Sequence, residues 1–307
     1  MVNENGIRAD LYRDWVEFSR NQIIAFGYNL SGNENDDDLT ILYFNIVFRH
    51  IEPLPRKVLL SHEFILPTDS TGRFDYNNNF NELKRKIEAG EDINPYLSRR
   101  IVKLDYNDPM LNDWGVQHFH LGQTTMSSGL IEGTKHVIFA KILYDTAYII
   151  QAYDHDHWTD GEVLTILHSN WPELLEPHRI HGIYAIKESR DSDLGQIRKA
   201  HINPTIDLGN GNVFAPLGGG VVMNGRSMEL IRKNILYKHS IRSVEKWIIN
   251  NSDSIREALR QNGITIGSPI RLRLIFADNG SFLCDESDRN IGILNLTNTF
   301  GGVIYRP

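Results

Sequence analysis

One cysteine, Cys284, stands in 307 residues. A lone thiol excludes an intramolecular disulfide and any zinc cluster built on several cysteines of one chain, and it fits a reducing compartment. No apolar run approaches the roughly 18 to 20 residues that span a bilayer. The opening stretch, MVNENGIRADLYRDW, has neither the basic nor the apolar block of a secretory leader. The expectation is a cytoplasmic protein with no membrane contact. Positive charge is also short: 32 Lys and Arg against 39 Asp and Glu give a formal net charge of -7. That balance argues against a broad basic nucleic-acid surface and leaves room for a local basic cleft. Internal repeats, heptads, a Gly-x-Ser-x-Gly elbow and a P-loop are all absent.

What is present is ordinary globular material, 41% hydrophobic and 23% charged, enough for a sizeable core. Leu11, Trp15 and Phe18 at helical spacing predict a helix ending near Gly27. SGNENDDD at 31–38 reads as an acidic loop, with Asp36–Asp38 solvated rather than metal-binding. TILYFNIVFRHIE and KVLLSHEFIL, separated by Pro53 and Pro55, read as two strands. Phe80, Leu83 and Ile87, followed by Gly90, predict a helix over 79–89. Thr159 and Glu162 form a capping box ahead of EVLTILH, and Ser254 and Glu257 form a second. Pro172 suits the start of a short helix. Residues 189–201 and 226–262 read as helical, and 207–223 as strands around tight turns. RLRLIFADNGSFLCDE reads as a hairpin turning at Asp278–Gly280. The class is α+β, with an antiparallel β-sheet core over residues 114–158 and flanking helices. Three regions follow, 1–95, 96–205 and 206–307, which can also be one continuous domain.

The chemistry concentrates between Trp114 and Trp158. Residues two apart on a strand share a face, so His118 and His120 in WGVQHFHLG point one way. His155 and His157 in YDHDHW repeat the spacing. The strand between, HVIFAKILY, carries Lys141, and a three-stranded meander would bring these segments side by side and could place several imidazoles and the lysine on one sheet face. One chemistry for such a set is metal-free RNA cleavage. An imidazole, His118 or His120, takes the 2′-hydroxyl proton, and a second, His155 or His157, protonates the leaving oxygen. Lys141, Arg99 and Arg100 hold phosphate. A second is a metal site in which His-x-His pairs, with Glu132, ligate iron or zinc. A third reading is a sheet whose histidines are structural. The triplet Gly218–Gly220 ahead of a helix could cradle an anion, although tight turns are its commoner use. His178 and His181 read as part of a solvated turn.

The order of these segments resembles the sheet core of the RelE/ParE-type toxins. The corresponding pieces are Trp114–Gly122, His136–Tyr144, Asp145 and Ala147–Trp158, within about residues 95–160. The resemblance implies a RelE-like sheet and RNA cleavage. His118, His120, Lys141 and His155 occupy positions of catalytic type, while the arginines of the family's central strand are missing. The motifs NDWGVQHFHLG, HSNWPE and PLGGGVVMNG also resemble an uncharacterised bacterial family and imply one architecture for most of the chain. The leading expectation is a metal-independent endoribonuclease of a toxin or phage-defence setting. It would need no cofactor, and its partners would be RNA and a protein inhibitor or complex partner. The alternatives are a non-enzymatic subunit of a defence complex and a His-x-His metalloenzyme.

Overall fold

The computed structural model describes residues 7–154, 161–183, 196–197, 199–208, 212–261, 270–277, 280–285 and 292–295. In chain order these form β1 (Ile7–Ala9), α1 (Leu11–Ala25), α2 (Asp36–Arg49), β2 (Lys57–Leu60), α3 (Tyr76–Ala89), α4 (Pro109–Trp114), β3 (Gln117–His120), β4 (His136–Ile142), β5 (Thr146–Asp154) and α5 (Glu162–Asn170). There follow β6 (Ile206–Asp207), β7 (Val213–Phe214), α6 (Met228–Asn250), α7 (Ser252–Gln261), β8 (Ile270–Ala277), β9 (Gly280–Asp285) and β10 (Gly292–Asn295). The fold is α+β. Its contacts divide the chain not near residues 95 and 205 but into two units, Met1–Ile46 with Ile231–Pro307, and Val47–Leu230. The second unit is thus an insertion in the first, and α2 and α6 each supply residues to both.

The unit containing the chain ends holds a mixed sheet in the order β1-β8-β9-β10, with β1 parallel to β8 and the rest antiparallel. β8 and β9 pair antiparallel up to Ala277 and Gly280, while Asp278 and Asn279 of the expected hairpin turn lie outside the described residues. The core of this unit is aromatic: the Trp15 ring meets Tyr43, Tyr237 and Phe276 at centroid distances of 5.5, 5.1 and 5.3 Å. The free amides at the start of α1 are taken up from outside the helix, Leu11 and Tyr12 donating to the Glu245 carboxylate at 2.9 and 3.3 Å.

Two sequence expectations change here. The run at 40–52 is not a strand but most of α2. Leu39, Tyr43 and Ile46 are buried at helical spacing, and Asn35 caps the helix by accepting the Asp38 amide at 2.9 Å. A short apolar stretch rich in aromatic and branched residues carries both periods, so local pattern alone cannot decide it. Asp36–Asp38 occupy the first turn of this helix, where negative charge meets the positive end of the dipole. Ser254 and Glu257 lie inside α7, which begins at Ser252, so they cap nothing. The Ile255 amide donates to the Asn251 carbonyl at 3.0 Å, one residue before that start.

The Val47–Leu230 unit is built on a sheet in the order β2-β5-β4-β3. β3, β4 and β5 form the expected antiparallel meander, and β2 adds to β5 in parallel. The two faces bury different cores. Phe119, Leu121, Ile138, Ala140, Ala147 and Ile149 pack on α3 through Tyr76, Phe80, Leu83 and Ile87. Val116, Val137, Phe139 and Ile150 pack on the other side against Met110 and Trp114 of α4 and Val163, Leu164 and Leu167 of α5. Asp75 caps α3 through the Asn78 amide. Gly90 ends it in the left-handed region at φ 71°, and a Cβ there would meet the Pro55 nitrogen at 2.5 Å; both facts demand glycine. His155, His157, Thr159 and residues 189–195 lie outside the described residues.

Phe119 is fully buried in the α3-facing core. Phe119→Ala is therefore expected to lower unfolding free energy by about 3–5 kcal/mol, read as a shift of the urea midpoint. A loss below about 1 kcal/mol would contradict this packing.

Candidate functional site

Alternation along β4 sends Ile138 and Ala140 to the α3 face and Val137, Phe139 and Lys141 to the other. On β3, His118 sits opposite Phe139 and His120 opposite Val137. Opposed residues share a face, so His118, His120 and Lys141 do lie on one side of the sheet. That side is not one open site, because α4 packs on it.

Lys141 is 8% exposed, and its amine rests against the end of α4. Asp108 caps this helix, accepting from the Met110 and Leu111 amides, and Pro109 opens it. Gly115 closes it at φ 65°. A Cβ on Gly115 would stand 2.7 Å from the Lys141 Nζ, so the glycine that stops the helix also leaves room for the amine. The glycine triplet packs on the same helix end. Gly218 donates to the Asp113 carbonyl at 3.0 Å, Gly220 to Asn112 at 2.8 Å and Gly219 to Pro216 at 3.0 Å. All three amides are spent on backbone carbonyls, so the triplet is a packing device and not an anion cradle.

The amine faces a cavity of about 600 Å³ whose walls include His50, Glu52, Gln117, Tyr144, His178 and Glu229. Among the described residues the Lys141 amine has no hydrogen bond and no ion pair. Burial alone pushes its pKa down to about 8. His178 is half-buried beside it. Burial first, and the Lys141 charge second, hold its imidazole below the usual histidine pKa. The His178 backbone is pinned, its carbonyl accepting from the Ala215 amide at 2.8 Å. A desolvated amine and a histidine biased toward its neutral form, together on one cavity wall, are groups set for charge or proton traffic.

The other sequence candidates sit elsewhere. The rings of His118 and His120 are 5.8 Å apart, edge to face. His120 is 4% exposed, and its Nδ1 accepts the Thr134 amide at 3.1 Å, which leaves the ring proton on Nε2. His118 borders a separate void of about 20 Å³ with Arg49, Tyr106 and Asp108, room for a single water. Arg100 lies over the Tyr106 ring at 5.7 Å. The exposed Arg99 guanidinium comes 3.8 Å from where a Gly133 Cβ would stand. Neither arginine lines the Lys141 cavity. Among the described residues no three His, Cys, Asp or Glu side chains converge as metal ligands. His178 is the residue that sequence reasoning missed: its neighbours Pro177 and Gly182 signal a turn, and nothing local places that turn beside β4.

No protein-family model, curated protein or solved structure matches the chain.

The unfolded chain keeps a proton on this lysine up to about pH 10.4, while the folded protein releases it near 8. Between these values the unfolded state binds more protons, so stability rises with pH. Below the folded value the full cost of the buried charge is carried. Lys141→Met, of similar volume, is therefore expected to be more stable than wild type at pH 7 by on the order of 1–3 kcal/mol. The gain should shrink from pH 8 to pH 10 in paired denaturant melts. A variant less stable than wild type at pH 7 would contradict the burial of an uncompensated amine.

Proposed function

We propose that the Val47–Leu230 unit is a metal-independent RNA-cleaving enzyme whose reacting phosphate sits at the Lys141 cavity. The observation that carries this reading is the buried Lys141 amine, which meets no carboxylate among the described residues and opens on a cavity. Such an amine is costly in the free protein, and an anionic ligand offsets that cost on binding. Lys141 then stabilises the charge that grows on the phosphorus-bound oxygens. The neutral imidazole of His178 takes the proton of the ribose 2′-hydroxyl. The 2′-oxygen bonds to phosphorus, and the 5′-oxygen leaves with a proton from His50, which lines the same cavity. This keeps the chemistry implied by the likeness to RelE/ParE-type toxins over residues 95–160. It moves the proton-transfer roles away from His118 and His120 and retains Lys141. A toxin or defence setting, with a protein inhibitor, belongs to the same proposal.

A second reading draws on the embedding of His118 and His120, the first of which borders a one-water void and the second of which is buried and bonded to backbone. In it the cavity binds an anionic ligand without turning it over.

Incubation of purified protein with single-stranded RNA in EDTA separates the two. Cleavage is expected, lowered about 10²- to 10⁴-fold by His178→Ala and abolished by Lys141→Met. Full cleavage by Lys141→Met would overturn the assignment. An intact RNA, with Lys141-dependent phosphate binding retained, would favour the second reading.

A further inference from the structure

The turn between β4 and β5 forms part of the rim of the Lys141 cavity. Tyr144 stands on it, 72% exposed, and also lines the cavity. Among the described residues its ring stacks on no other aromatic, and its hydroxyl has no hydrogen-bond partner. The turn that holds this exposed ring is fixed by its backbone hydrogen bonds. The Leu143 amide closes it by donating to the Thr146 carbonyl at 2.8 Å. The Leu143 carbonyl accepts from the Arg56 Nε at 2.7 Å. The Asp145 carbonyl accepts from the Lys57 amide at 2.9 Å, where β2 joins the sheet. Arg56 is itself buried, and its guanidinium also reaches the Glu52 and Leu54 carbonyls at 2.8 and 3.0 Å. The backbone on either side of the tyrosine is thus tied to buried structure. A rigid ring loses little entropy when something planar settles on it.

The amine and the ring belong to one hairpin. Lys141 lies on β4 and Tyr144 in the turn that follows it, the lysine buried and the ring exposed. A cavity of about 600 Å³ lies in the range that encloses one small organic ligand, and it is far too small for a duplex. A ligand matching both ends carries an anion at one extremity and a flat aromatic surface at the other. Nucleotides have that form, and unpaired bases are the ones proteins splay out and stack on aromatic side chains.

We propose that Tyr144 is the stacking platform of this site, so that the cavity takes one unpaired nucleotide of single-stranded RNA, phosphate toward Lys141 and base on Tyr144. This rests on the phosphate reading of the cavity given above and adds to it the class of substrate and the residue that selects it. Stacking needs the ring and not the hydroxyl, so Tyr144→Phe keeps the function and Tyr144→Ala loses it.

Calorimetric titration of the full chain with inorganic phosphate, adenosine 5′-monophosphate and cytidine 5′-monophosphate provides the test. Both nucleotides should bind at least about fivefold more tightly than phosphate, the lower bound for one base on one aromatic ring. Tyr144→Ala should remove that increment while leaving phosphate affinity unchanged, Tyr144→Phe should keep it, and Lys141→Met should weaken all three ligands. A single-stranded oligonucleotide should displace the monophosphate, and the same sequence in a duplex should not. Lys141-dependent phosphate binding with no gain from the base, or nucleotide affinity unchanged in Tyr144→Ala, overturns the stacking role and leaves the phosphate reading standing. Equal competition by the duplex overturns the single-strand preference. Absence of any Lys141-dependent phosphate binding overturns the phosphate reading, and the stacking role falls with it.

Discussion

A charged amine largely withdrawn from water, with no ion pair among the described residues, is the constraint on which the rest of the site depends. Lys141 is placed by strand alternation on the face that also carries Val137, Phe139, His118 and His120. Its amine ends at Gly115, where any larger residue would occupy the space of the Nζ. Helix stop, strand face and cavity wall therefore meet at one atom. Burial disfavours the ammonium and no ion pair among the described residues offsets it, which is why the pKa falls to about 8. Proteins bear such costs at sites more often than in plain cores.

The two sides of the β2-β5-β4-β3 sheet divide the work. The α3 side is a closed apolar core with a well-capped helix over it. The other side carries the polar groups, and α4 partitions them: His118 and His120 fall among packed side chains, while Lys141 falls in the cavity. His120 spends a ring nitrogen on the loop before β4, through Thr134. That bond ties the loop between β3 and β4 back to the strand it leaves, so the His-x-His spacing serves the geometry of the sheet there. The chemistry proposed for the unit then rests on Lys141, His178 and His50, with Tyr144 at the mouth.

The legible part of the fold was the part with local causes. The β3-β4-β5 meander followed from alternation and turn residues, and so did the common face of His118, His120 and Lys141. The helix of residues 76–89 followed from Phe80, Leu83, Ile87 and Gly90. The helical state of residues 36–49 did not, because its apolar residues satisfy either period over that length and its cap, Asn35, was masked by an acidic run resembling a loop. The site was half legible for a related reason. Lys141 stood out as a charge on an apolar strand. His178 reaches it only because the chain after α5 folds back, its carbonyl bonded to Ala215 beside β7, and such a meeting has no signature in neighbouring residues. Nor does the filling of the face by α4, which separates His118 and His120 from the cavity.

Direct titration of the Lys141 ammonium by NMR, with isotope-labelled lysine and Lys141→Met for assignment, tests the central claim. The midpoint is expected near 8 in the free protein and should rise in saturating phosphate, because an anion at the amine favours its charged form. A midpoint at the ordinary lysine value of about 10.4, unmoved by phosphate, would contradict it.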